Sequence, residues 1–268
     1  MSKADLMVLI FCIIAALLHG ISGFGFPMVS TAAISTLYPL STTVAFVLLP
    51  CLILNLFLLN SDPERSFLQA LRYYSGQYWG LIISSLIGSV FGVQLLLHLN
   101  DGYLKLLMGL FILWYVLDQF RSQPLRIQAS LKNMLLFGLL AGVIGGATNA
   151  MAPFLMMYLL STEHSKTEIV LISNLNFAVS KLIQLLLLYP VMLQFKSEQW
   201  SLLGLLTMVS LLGVWAGGQL RAHISQQKFR WLILSLLAVL GGSALWQAVQ
   251  LLSQNPHFLW FNLHLAAK

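Results

Sequence analysis

From Leu6 to Leu37 this chain runs 32 residues without an Asp, Glu, Lys or Arg. As continuous helix the stretch would be about 48 Å long at 1.5 Å per residue. That is too long for one crossing of a ~30 Å hydrocarbon core and too short for two. Its midpoint, Gly20-Ile21-Ser22-Gly23-Phe24-Gly25-Phe26-Pro27, is where a helix is hardest to sustain. Glycine costs about 1 kcal/mol and proline about 3 in a helix interior, and the proline ring removes a backbone hydrogen bond. A second uncharged stretch, Asn133 to Leu160, holds 28 residues, about 42 Å by the same rise, and is interrupted from Gly142 to Pro153. Unpaired backbone at membrane depth survives only inside protein or against a wet cavity. Each break is therefore a candidate site, with a kinked or closely packed helix as the alternative, since glycine is common in membrane helices.

Such stretches set the class. Hydrophobic residues make up 59% of the chain and charged ones 8%, against roughly 25% charged in a soluble domain. Long runs such as Leu202 to Val214 lack the apolar–polar alternation of a membrane β-barrel. The chain reads as an all-α polytopic membrane protein. Its net charge of +6 comes mostly from Lys and Arg between the apolar runs, as the positive-inside bias produces, and does not argue for nucleic acid. Cys12 and Cys51 lie inside apolar runs and read as packing residues rather than a disulfide or metal pair. Lys3 ahead of Leu6–Leu18 resembles the start of a signal peptide. No small-residue cleavage pattern follows and the apolar sequence resumes after Gly25, so the segment is expected in the mature protein.

The sequence also repeats. Leu86 to His98 aligns without a gap on Leu211 to His223, 125 positions later. Gly88/Gly213, Gly92/Gly217, Gln94/Gln219, Leu95/Leu220 and His98/His223 coincide, and Gly20 and Pro27 recur as Gly146 and Pro153 at an offset of 126. Two copies of one unit are expected, residues 1–120 and 133–252, with a linker at 121–132 and an aromatic interfacial tail at 253–268. The period is too long for a solenoid, and in transporters the site tends to lie where such halves meet. Gly88/Gly92 and Gly213/Gly217 have the spacing of close helix packing.

Six further apolar segments read as plain crossings: 41–60, 74–98, 103–120, 167–189, 200–220 and 229–252. With eight plain crossings, the Lys and Arg outside the membrane split eight to five between the two sides. If both broken stretches are re-entrant hairpins, Arg65, Arg72, Arg121, Arg126, Lys132, Lys166, Arg221, Lys228 and Arg230 share one side. Lys3, Lys105, Lys196 and Lys268 then occupy the other, a split of nine to four. The second arrangement fits the positive-inside rule better. A hairpin plus three crossings per copy makes the second copy inverted, with both termini outside.

All eight acidic residues fall at segment ends or in loops, which argues against a carboxylate relay in the membrane. Lys181 is the exception among the bases, inside Thr167 to Tyr189, with Asn174 and Thr167 at seven-residue intervals before it and Gln184 three after. A snorkelling lysine is the bland reading; an ionisable residue on a polar stripe is a functional candidate by default. Without a carboxylate at its depth, its natural partner is a bound anion. Helices restarting near Pro27 and Pro153 would aim unpaired N–H groups and positive dipole ends at that anion. Gly23, Gly25 and Gly146 would bring backbone close, and Ser22, Thr148 and Asn149 would add side-chain donors. His19 is either a packed or a proton-carrying histidine, and Asn55 reads as an interhelical hydrogen-bond residue. No enzyme motif, nucleotide site, metal-ligand spacing or cofactor fingerprint is present in the sequence.

The stretch His19 to Pro27, the stretch Gly142 to Pro153 with Tyr158, and Ser173-Asn174…Lys181 together resemble the TauE/SafE family of membrane anion exporters and permeases. The resemblance covers nearly the whole chain. It implies a multi-pass inner-membrane transporter of sulfite, sulfonates or related small organosulfur or carboxylate anions. The expected partners are that anion and the lipid bilayer, with no nucleic acid; a homodimer is compatible with the sequence. A membrane scaffold or accessory subunit and a passive anion channel are the competing readings.

Overall fold

The computed structural model describes residues 3–34, 38, 40–121, 126–162 and 164–253. Within them the chain forms eleven helices and no strand. In order these are α1 (Lys3–Ser22), α2 (Phe26–Ile34), α3 (Leu40–Leu59), α4 (Phe67–Gln77), α5 (Trp79–His98), α6 (Asp101–Asp118), α7 (Leu131–Thr148), α8 (Ala152–Ser161), α9 (Lys166–Met192), α10 (Ser197–Ala222) and α11 (Gln226–Ser253). The protein is an all-α polytopic membrane protein. Six helices among the described residues are long and apolar enough to cross a bilayer: α3, α5, α7, α9, α10 and α11. The expected interfacial tail, from 254 on, and the linker residues 122–125 lie outside the described residues.

Both uncharged stretches break where glycine and proline predict. Gly23 and Gly25 take φ of +82° and +114°, and Asn149, which caps α7, takes φ of 62°. These left-handed conformations end α1 and α7, since they are costly for most side chains and easy for glycine and, to a lesser degree, asparagine. Pro27 and Pro153 then stand in the first turns of α2 and α8, where a missing N–H costs nothing.

Three segments differ from expectation. The apolar run 74–98 is not one helix: α4 ends at Gln77 and α5 starts at Trp79, with Tyr78 between them at φ −111°, ψ 26°. The residues before the break include Gln69, Arg72, Ser75 and Gln77, so α4 buries only Ala70 and Tyr74 and behaves as an amphipathic approach to the span. The last two helices are longer than the apolar runs, 26 and 28 residues, because their polar ends continue the helix beyond the hydrocarbon-length core.

Contacts fix the relative directions. Ser85 and Ser89 on α5 meet Asn176 and Ser180 on α9 in the same order, so α5 runs alongside α9. Gly138, Gly142 and Gly146 on α7 meet Leu81, Ser85 and Ser89 on α5, so α7 shares that direction. Tyr158 on α8 stacks near Phe137 on α7, which folds α8 back along α7 as a hairpin. The other half is reversed. Lys166 at the start of α9 donates to the carbonyls of Arg221 and Ile224 at the end of α10, so α10 runs against α9. Gly213 and Gly217 on α10 meet Ala16 and Gly20 on α1, placing α1 parallel to α10.

These crossings explain the repeated glycines. A Cβ at Gly217 would overlap the Leu17 carbonyl, and one at Gly20 the Val214 carbonyl. In the other half Gly92 faces the Val143 carbonyl, and a Cβ on Gly146 would stand 2.6 Å from the Ser89 oxygen. Each glycine pair thus seats the broken helix of the opposite half, backbone against backbone. By contrast, Gly204 and Gly218 have no atom within 4 Å of such a Cβ.

The contrast is testable. Gly92→Ala and Gly217→Ala should lower the thermal midpoint of detergent-purified protein by an amount matching the ~1–3 kcal/mol of overpacking. Gly204→Ala and Gly218→Ala should melt at or above the parent, as alanine is the better helix former. Equal midpoints for all four would remove the crossings as the basis of helix pairing.

Candidate functional site

Inside the bundle, side chains of α9 donate to backbone carbonyls at both breaks. Asn174 Nδ2 donates to the Gly23 carbonyl at 3.0 Å and to Val170 within its own helix at 2.8 Å. Three turns on, Gln184 Nε2 donates to the carbonyls of Gly145 and Gly146, each at 3.1 Å. The polar stripe on α9 is therefore a pair of clamps, one for each tip. Between them lies Lys181, 4% exposed. Its ammonium donates to Asn149 Oδ1 and, at 2.6 Å, to Gln184 Oε1. Asn149 in turn donates to Thr31 Oγ1 at 2.8 Å, tying the second tip to α2 of the first.

A small cavity of ≈ 10 Å³ opens where these groups converge. Gly25, Pro27 and Met28 line it from the first tip, Asn149, Met151 and Ala152 from the second, and Phe177, Ser180 and Lys181 from α9. The first turns of α2 and α8 both stand at this wall, so two helix N-termini and one ammonium face the same space. The three ion pairs among the described residues join Arg65 to Asp62 and Glu64, and Arg121 to Asp118. None of them involves Lys181. A buried ammonium held only by neutral amides is under-compensated.

The predicted residues separate into layers. Gly25, Asn149 and Lys181 reach the cavity, whereas Ser22, Gly23, Gly146, Thr148 and Asn174 stand behind it. Ser22 Oγ donates to the Leu18 and Phe24 carbonyls and accepts from Phe24 N–H, closing the first break on itself. Thr148 Oγ1 donates to the Ile144 carbonyl. Gly146 offers its carbonyl to Gln184 but turns its Cα toward the α5 crossing. Gly25 has open space at its Cβ, so its positive φ, not crowding, selects glycine there. His19 is buried against Asn174, and neither ring nitrogen has a hydrogen-bond partner among the described residues. Asn55, read as an interhelical hydrogen-bond residue, has no partner among them for either amide atom.

Sequence reasoning passed over Ser180, Phe177 and Met151 as wall residues and placed Arg221 in a polar end. Arg221 is in fact 9% exposed. Its one sequence signal is that it stands where the first copy has Leu96, directly after the matching Gln94-Leu95 and Gln219-Leu220.

Asn149 supplies a test of the tip geometry. Asn149→Gly and Asn149→Ala both delete the bonds to Lys181 and Thr31, but only alanine meets the left-handed penalty of ~1–2 kcal/mol. The alanine variant should unfold at the lower denaturant concentration. The reverse order would mean that the α7 cap is not left-handed in the folded protein.

With this geometry in place, comparison with known proteins gives one answer. The description of the matching family is sulfite exporter TauE/SafE, over residues 8–244. No curated protein and no solved structure matches the chain. A match over most of the sequence, including both breaks and the α9 stripe, places this protein in the TauE/SafE family.

Proposed function

We propose that the chain is a secondary transporter of small anions, of the sulfite, sulfonate or related organosulfur and carboxylate class, in a cell inner membrane. The observation that carries this reading is Lys181, buried with only the amide oxygens of Asn149 and Gln184 as acceptors. A single small oxyanion between the tips would accept from the Lys181 ammonium and from N–H groups in the first turns of α2 and α8. The family description supplies the substrate class, and the site supplies the sign of the charge.

The cavity, at ≈ 10 Å³, holds about one water. An anion of several heavy atoms enters only if the two tips move apart. Each tip belongs to a hairpin, and α1 and α7, equivalent in the repeat, run against and alongside α9 respectively. Opposed directions of equivalent helices support an inverted pair of repeats, in which opposite sides of the membrane could gain access in turn. The family also favours transport over an accessory or scaffold role. A gradient of the anion or of a coupled ion is the driving force this architecture can use.

Lys181→Ala should abolish counterflow of labelled sulfite in proteoliposomes while the protein still purifies as a monodisperse species. Removal of the ammonium leaves Gln184 Nε2 and Asn149 Oδ1 bonded at 3.2 Å, so the clamp on the second tip survives. Undiminished counterflow in that variant would reduce Lys181 to a packing lysine. Flux in the parent that never saturates with sulfite would instead favour a passive channel.

The topology is tested separately. Cysteines introduced at Arg65, Arg126 and Arg230 should all be labelled from the cytoplasmic side by an impermeant maleimide. Labelling of Arg230 and Arg65 from opposite sides would contradict the paired-hairpin arrangement, whatever the substrate.

A further inference from the structure

Buried polar atoms without partners are not scattered through this bundle. Among the described residues they belong to His19, Asn55, Asn174 and Arg221, with Tyr115 and Gln119 apart from these on and just after α6. The first four belong to α1, α3, α9 and α10, helices that pack on one another. Asn55 lies on α3, which packs against α9 and α10. The Arg221–Ser61 contact ties the end of α3 to the end of α10, and Lys166 ties that same point to the start of α9. Helix α3 therefore runs against α9. His19 accepts at its carbonyl from Gly23 N–H, and Asn174 holds the Gly23 carbonyl; Gly20, next to His19, packs on Val214 and Gly217, within about one turn of Arg221.

We propose that Arg221, His19 and Asn174 form a second anion station, about 10 Å from Lys181 by the rise over seven residues of α9, for a singly protonated oxyanion. This rests on the reading of Lys181 as the central site of the same path. The donor inventory selects the ligand. The Arg221 guanidinium can only donate; its Nη1 is unpartnered and its Nη2 reaches only the Ser61 hydroxyl, at 3.4 Å. The Asn174 amide is fixed by its two Nδ2 bonds, so its Oδ1 is left to accept. One His19 nitrogen can donate to that oxygen, which leaves the other, in neutral imidazole, as an acceptor. An anion carrying one O–H and at least one charged oxygen fits both sides: its hydroxyl donates to His19 and its charged oxygen accepts from Arg221. A guanidinium is suited to such an oxyanion because its donors lie in a fixed plane.

The alternative is a closed network in which Arg221, His19 and Asn174 turn toward one another and take no ligand. Equilibrium dialysis of the full-length purified protein against radiolabelled sulfite, which is partly protonated near neutral pH, separates the two. The parent should bind two equivalents, and Lys181→Ala one. Arg221→Gln should also bind one, as should His19→Phe, which fills the ring volume without its nitrogens and carries the test if Arg221→Gln does not fold. Arg221→Lys should keep two equivalents with at least tenfold weaker binding of the second. A parent that binds one equivalent, lost in Lys181→Ala, would overturn the second station and leave the central site standing. Two equivalents in both Arg221→Gln and His19→Phe would overturn it as well. Two equivalents unchanged by Lys181→Ala but reduced to one by Arg221→Gln would remove the central assignment instead.

Discussion

Two helix breaks inside a membrane create a debt of backbone hydrogen bonds, and the way α9 settles it organises everything else. A buried carbonyl without a donor costs ~1–3 kcal/mol, and no water is at hand in hydrocarbon to supply one. Asn174 and Gln184, ten residues apart on α9, hold the first and second tips through the carbonyls of Gly23, Gly145 and Gly146. With both tips fixed to one helix, the only charged side chain between the clamps is Lys181. The cation is thus placed by the same stripe that makes the breaks tolerable.

The breaks also need close neighbours, and these come from the other half of the sequence. The tip helix α1 lies against Gly213 and Gly217 of α10, and α7 against Gly88 and Gly92 of α5. Each half-sequence carries one broken helix and one glycine-lined seat, but the seat receives the partner's broken helix. Each broken helix thus needs the opposite half for its backbone seat, so the two halves are expected to be stable only together.

Much of this was legible in the sequence because it rests on local chemistry. The breaks follow from glycine and proline counts, and both fall within the expected residues. The α9 stripe follows from 3.6-residue periodicity, since Asn174 and Lys181 share a face at seven residues. The roles of Gly146 and Ser22 were not legible, because they depend on neighbours. Gly146 turns out to face an α5 backbone, and Ser22 spends its hydroxyl on its own break. The break at Tyr78 was hidden by apolar residues continuing across it. Arg221 was hidden by its position near a helix end, where a solvated arginine is the ordinary case; only burial distinguishes it.

The same contacts constrain how the tips can part. Separating α1 from α10, or α7 from α5, would pull apart backbones packed glycine to carbonyl along several turns, and dispersion in such a contact is lost almost in full once a gap opens. Freeing a tip from α9 breaks far less: one interhelical amide bond at Gly23, or the Gln184 and Lys181 bonds at the second tip. At ~0.5–1.5 kcal/mol net for a neutral hydrogen bond and ~1.5–3 for one from the ammonium, this is comparable with the binding energy of one anion. The units that stay rigid are consequently α1 with α10 and α5 with α7, each drawn from both halves of the sequence, rather than the two repeats as written. Because Ser85 and Ser89 also bond α5 to Asn176 and Ser180 of α9, the opening that the proposed anion site needs is expected at α1 with α10, or by bending the hairpins at Gly25 and Asn149.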